Sequence, residues 1–122
     1  MHEVSLMKGL LDIVTETARR EKASKVDLIH LRIGEMAGVN FESLRFAFDI
    51  LSKGTPADGG SLEYEEVPLR GRCRDCSKEF HPERLVFRCP SCGGASVEIV
   101  SGREMEVDYI LLGEDGDGSG DS

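Results

Sequence analysis

The chain has 122 residues, 39% of them hydrophobic, with 15 basic against 23 acidic side chains and a formal net charge of −8. That apolar content supports one modest core plus a small appended module, and no stretch approaches the ~20 apolar residues of a membrane span. Glu3, Lys8 and Asp12 interrupt any apolar run near the start, which argues against a signal peptide and for a cytosolic setting. The acidic balance argues against broad nucleic-acid binding.

Met1, His2 and Glu3 open the sequence. A terminal amine and an imidazole both lose protons near neutral pH. On adjacent residues the Met1 amine and the His2 amide nitrogen can close a five-membered chelate, and the His2 amide and Nδ1 a six-membered one. Glu3 can supply a further donor. Deprotonated amides favour Ni²⁺ or Cu²⁺, and the donors alone do not choose between them. The alternative is a polar triplet that merely starts a helix.

Met7, Leu10, Leu11, Val14 and Ala18 recur at helical spacing, which predicts an amphipathic helix over about Val4 to Lys22 with the first three residues at its mouth. KVDLIHLRIG alternates as a strand, with Ile29, Leu31 and Ile33 on one face, Leu28, His30 and Arg32 on the other, and Gly34 at its end. His30 reads as a packed or rim histidine. Asn40 is placed to cap a second helix, FESLRFAFDILSKG, with Gly54 just past its end. Its apolar face comprises Phe41, Leu44, Phe48 and Leu51, thickened by Ala47 and Ile50. SLEYEEV reads as a second strand, and EMEVDYILL as a third with Met105, Val107, Tyr109 and Leu111 on one side.

The expected fold is α+β (mixed α/β): two helices on a small three-stranded sheet. The helix between the first two strands suits a right-handed parallel crossover. A zinc-ribbon-like module is inserted before the last strand. Residues 1–68 plus 104–112 would form one domain, 69–103 the inserted module, and 113–122 a disordered acidic tail. Within the tail, Asp115, Asp117, Ser119 and Gly120 begin a calcium-loop pattern that stops short of its bidentate glutamate, so calcium is not expected.

All four cysteines lie in two C-x-x-C pairs, Cys73 with Cys76 and Cys89 with Cys92. Two such turns complete a tetrahedral sulfur site suited to Zn²⁺. Gly93 and Gly94 supply backbone freedom for the second turn. Four thiolates close the coordination sphere, so zinc here is structural. Disulfides and a rubredoxin-like iron site are the competing readings. The arginines Arg70, Arg72, Arg74, Arg84, Arg88 and Arg103, with Lys78, either offset the charge of a zinc–thiolate centre or face nucleic acid. Phe80 and Phe87 either stack on bases or pack the module. His81 reads as a surface residue. With the cysteines assigned to zinc, no Ser/His/Asp or Cys/His set remains and no P-loop is present, so no enzyme activity is expected.

The MHE start, LRIGEMAGV, ESLRFAFDIL, EEVP before the cysteine module, and RCRDC…FRCPSCGG followed by VEIVSGREMEV together resemble the HypA/HybF family, over residues 1 to about 112. Its members are nickel metallochaperones of NiFe-hydrogenase maturation. The resemblance implies weakly held, transferred Ni(II) on Met1, His2 and Glu3, and structural Zn(II) on Cys73, Cys76, Cys89 and Cys92. Asn40 lies where a relative can carry a carboxylate in the nickel shell, and Glu42 is one helical step away. The implied partners are the accessory nickel GTPase HypB and the hydrogenase large-subunit precursor. Urease is an alternative client, with urease accessory proteins as partners, and a homodimer is admitted. No membrane is implied. The rival function is a zinc-ribbon adaptor for nucleic acid or protein.

Overall fold

The computed structural model describes residues 2–83 and 86–113. Met1, Arg84 and the expected acidic tail from Glu114 onward lie outside the described residues. The chain forms two compact units. Among the described residues the first draws on 2–31, Val39–Glu65 and 106–113, and the second on Arg32–Gly38 and Glu66–Met105.

In the first unit, helix α1 (His2–Arg20) buries Met7, Leu10, Leu11, Val14 and Ala18, the stripe that helical spacing predicts. It begins at His2, earlier than expected, so His2 and Glu3 belong to its first turn. It ends in a Schellman motif: the Ala23 N–H donates to Ala18 O at 2.9 Å and the Lys22 N–H to Arg19 O at 3.0 Å. Lys22 takes the left-handed position, φ 58°, that glycine usually fills. Without a glycine signal in the sequence, the predicted helix overran this stop.

Strand β1 (Val26–Gly34) buries Val26, Ile29, Leu31 and Ile33. Helix α2 (Phe41–Leu51) starts at Asn40, whose Oδ1 accepts the Ser43 N–H at 2.9 Å, and it packs against α1. Its buried residues are Leu44, Ala47 and Phe48. Ile50 is 52% exposed, because its position lies beyond the edge of the stripe those three define. Strands β2 (Ser61–Val67) and β6 (Met105–Leu112) flank β1 in the order β2-β1-β6. Gly60 abuts the Val26 carbonyl, and at the other end the Glu35 N–H donates to Val67 O, so β1 and β2 run parallel, as a helical crossover requires. The Gly34 N–H donates to Glu104 O and the Gly113 N–H to Lys25 O, which makes β6 antiparallel to β1. Tyr109 and Leu111 are exposed, so the expected apolar side of β6 is only partly covered.

The second unit contains three strands that periodicity did not reveal beforehand: β3 (Arg70–Cys73), β4 (Glu79–Phe80) and β5 (Val97–Ser101). β3 pairs antiparallel with both neighbours. Cys73, Phe80 and Cys89 form a small buried cluster in it, with Val97 packed against them. Phe80 therefore packs the module, while Phe87 is half-buried. At the base of this unit the Met36 N–H donates to Gly102 O at 2.7 Å, and a methyl on Gly34 would fall 2.1 Å from the Gly102 carbonyl carbon. Gly102 has φ +111°, and a Cβ there would meet Leu69 Cα at 2.6 Å.

Candidate metal centres

The two cysteine pairs sit in turns with the same hydrogen bonds. The Ser77 N–H donates to Cys73 O and the Cys73 N–H to Lys78 O; the Gly93 N–H donates to Cys89 O and the Cys89 N–H to Gly94 O, all at 2.8–2.9 Å. The residue after each second cysteine is left-handed, Ser77 at φ 67° and Gly93 at φ 74°. Glycine suits that conformation and serine does not, so Gly93 announced its turn and Ser77 concealed the matching one. Gly94 makes the close approach: a Cβ there would stand 2.7 Å from Asp75 Oδ2 and 3.3 Å from Cys92 Sγ.

The four sulfurs lie within 4.8 Å of one another. Cys73 and Cys92 are 3.5 Å apart and Cys76 and Cys89 3.6 Å, and all four thiols are free. A Zn–S bond of about 2.3 Å places tetrahedral sulfurs about 3.8 Å apart, so the two close pairs lie near the spacing that a four-thiolate zinc ion needs. The Cys92 backbone N–H, joined by that of Ser91 at 3.4 Å, brings the Cys89 thiol down to about 6. Such donors hold a thiolate ready for a metal. Disulfide geometry would require sulfurs about 2.05 Å apart, which these separations do not approach.

Arg70, Arg72 and Arg88 are engaged within the module. Arg72 donates to Glu79 at 2.8 Å and stands 3.9 Å from Glu98, Arg70 is 3.5 Å from Glu79, and Arg88 donates to Gly93 O. Arg74 and Arg103 line a cleft of about 570 Å³ with Met36, Phe87, Val97, Glu98 and Ile99. His81 is not among the sulfur donors. Its Nε2 lies 3.0 Å from Glu35 Oε1, which also accepts the Leu69 N–H at 2.8 Å. That Leu69 bond, then His81, holds the Glu35 carboxyl below its usual range. Residues so far apart in sequence gave no prior signal of this junction.

At the start of α1, His2 is exposed and Glu3 half-buried. Glu3 Oε2 accepts the Asn40 N–H at 3.0 Å. That bond, its own backbone N–H and the nearby His2 lower the Glu3 carboxyl from its ordinary value. Glu3, Val4, Asn40, Glu42, Ser43 and Phe46 line one cleft of about 370 Å³. The Asn40 side-chain oxygen is engaged in capping α2, so here Asn40 acts through its backbone. Met1 lies outside the described residues.

His30 is packed, as expected, and its ring lies between carboxylates of the neighbouring strand. Its Nδ1 is 2.6 Å from Glu63 Oε2 and its Nε2 3.0 Å from Glu65 Oε1, and its ring stacks on Tyr109 at 4.7 Å. The i, i+2 spacing of Glu63 and Glu65 placed both on one strand face, but their facing partner depended on strand order.

A sequence profile described as hydrogenase/urease nickel incorporation, metallochaperone, hypA, matches residues 1–112. The hydrogenase maturation factor HypA of Chlorobaculum parvum is 43% identical over 112 residues, 92% of this chain and 99% of that protein. That of Roseiflexus sp. is 42% identical over 116 residues, 94% of each. A solution structure of HypA protein matches with a TM-score of 0.72 at 25% identity, covering 92% of this chain and 96% of that one. The solution structure of the Ni metallochaperone HypA from Helicobacter pylori shares the fold, with a TM-score of 0.67 at 24% identity over 90% and 96% of the two chains. Two helices, small sheets and a clustered four-cysteine module thus occur together with the family's sequence pattern, and the chain belongs to the HypA family of metallochaperones, maturation factors rather than enzymes, which serve nickel incorporation into hydrogenase.

Proposed function

We propose that the chain binds Ni(II) as cargo through Met1, His2 and Glu3 and delivers it in the cytoplasm to the NiFe-hydrogenase large-subunit precursor, in cooperation with the GTPase HypB. Zn(II) on Cys73, Cys76, Cys89 and Cys92 has a structural role. The observation that carries the nickel reading is the start of α1, where exposed His2 adjoins a Glu3 carboxylate held by the Asn40 N–H at 3.0 Å. The first N–H groups of a helix have no intrahelical acceptor. A His2 amide that loses its proton to solvent and binds the metal through its nitrogen therefore breaks no helical hydrogen bond. Glu42 lines the same cleft as Glu3 and is the next carboxylate available to the ion.

The cargo is expected to leave readily, since proton uptake by the amine, amide and imidazole competes with the metal. The domain assignment carries the same division of labour: residues 1–68 plus 104–112 for nickel and 69–103 for zinc. Urease delivery through its accessory proteins, or a homodimeric carrier, would use the same terminus. Calorimetric nickel titration of tag-free, zinc-loaded protein at about pH 7.5, just below the amine's model value, tests the proposal beside His2→Ala and an N-terminally extended form. One nickel bound by the parent and lost by both folded variants supports it. Equal binding by all three removes the terminus as the site.

A further inference from the structure

Besides the terminus and the cysteines, one more set of metal donors converges among the described residues. It is built across a sheet: His30 from the central strand β1, Glu65 from β2 and Asp108 from β6, with donor atoms all within 4.8 Å. His30 Nε2 stands 3.0 Å from Glu65 Oε1 and 3.9 Å from Asp108 Oδ2. The opposite ring nitrogen, Nδ1, is 2.6 Å from Glu63 Oε2. Tyr109 stacks on the ring with an interplanar angle of 7°, and the imidazole is only 13% exposed.

We propose that this cluster binds a divalent first-row transition ion, with His30 Nε2, Glu65 and Asp108 as ligands and Glu63 as the positioning residue. A metal-binding histidine characteristically donates its second ring N–H to a carboxylate, which fixes the tautomer and aims the lone pair at the ion. Glu63 stands in that relation to Nδ1. The Nε2 lone pair then faces two carboxylates, an arrangement in which a metal cation can take the place of the ring proton between them. Metal–ligand bonds of about 2.1 Å put adjacent octahedral donors about 3.0 Å apart and opposite ones about 4.2 Å apart. The observed 3.0 and 3.9 Å fall within those limits. One imidazole and two carboxylates, with positions left for water, suit Ni²⁺, Co²⁺ or Zn²⁺. Calcium, which takes six to eight oxygens, is poorly matched. All three ligands lie on strands of one sheet, and stacking limits rotation of the ring, so little ordering remains to be done on binding.

The site shares no residue with the terminus, so it is tested in zinc-loaded, full-length His2→Ala protein, titrated with Ni²⁺ and followed by NMR. Saturable paramagnetic broadening centred on His30, Asp108 and Tyr109 is expected, with no change in Mg²⁺. Asp108→Asn, which leaves the His30 contacts to Glu63 and Glu65 in place, should weaken binding at least about tenfold, and His30→Gln should abolish it. Absence of saturable broadening there, or unchanged affinity in Asp108→Asn, overturns the proposal. Wild-type protein titrated in parallel reports the terminal site separately, so either site can fail without the other.

Discussion

At the scale of the residue, His30 shows how a side chain's surroundings set its proton affinity. Hydrogen bonds to Glu65 and Glu63 raise its pKa above the ordinary histidine value. Carboxylates on both ring nitrogens are best satisfied by an imidazolium, which donates from each. Because the folded state holds the proton more tightly, the stabilisation is fully present below the unfolded value of about 6.5 and is lost as pH rises through the folded one. NMR titration of metal-free His30 should give a midpoint above that of free histidine, and His30→Gln should flatten this part of the stability–pH profile. Ser77 offers a second prediction. A non-glycine residue in the left-handed region costs about 1–2 kcal/mol, while glycine forfeits about 0.5–1 kcal/mol of chain entropy. Ser77→Gly should therefore stabilise zinc-loaded protein by up to about 1.5 kcal/mol, read as a rise in its denaturation midpoint.

At the scale of the element, the two helices were legible because their cores recur at a fixed spacing: Met7, Leu10, Leu11 and Val14, then Leu44, Ala47 and Phe48. The Asn40 cap was legible for the same local reason. Strands β3 to β5 were not, since two to five residues around a cysteine site carry too little alternation to register, and the metal donors dominate their composition. The cysteine set could be read from spacing alone, whereas the His30 cluster and the Glu35–His81 junction needed the strand order. Asn40 also separates two roles that proximity confuses. Asn40→Ala removes the Ser43 bond and should cost about 1 kcal/mol in chemical denaturation. The Glu3 bond comes from the Asn40 backbone and survives, so nickel affinity in calorimetry should stay close to the parent's. A large loss of affinity would instead place the Asn40 side chain in the nickel shell.

At the scale of the whole molecule, the first unit has a broad buried apolar core, while around the cysteines of the second the buried cluster is only Cys73, Phe80 and Cys89 with Val97 against it. A cluster that small gains most of its order from a bound metal when one is present. Stripping zinc with a strong chelator should collapse amide dispersion and hydrogen-exchange protection across β3 and β5, while the helical circular-dichroism signal of α1 and α2 persists. Gly102→Ala tests the base of the same unit. With φ +111° and Leu69 Cα 2.6 Å from the added methyl, it should lower the unfolding midpoint even with zinc bound.

The near-contact of Gly34 with Gly102 has a bearing on how such a chain can change over generations. Both glycines lie where the chain passes against itself with no room for a side chain on either partner. A substituent has no space to occupy there, whereas an exposed turn has. Lengthening by inheritance should therefore be tolerated between the cysteine pairs, and the two glycines should be lost only together with the crossing they permit.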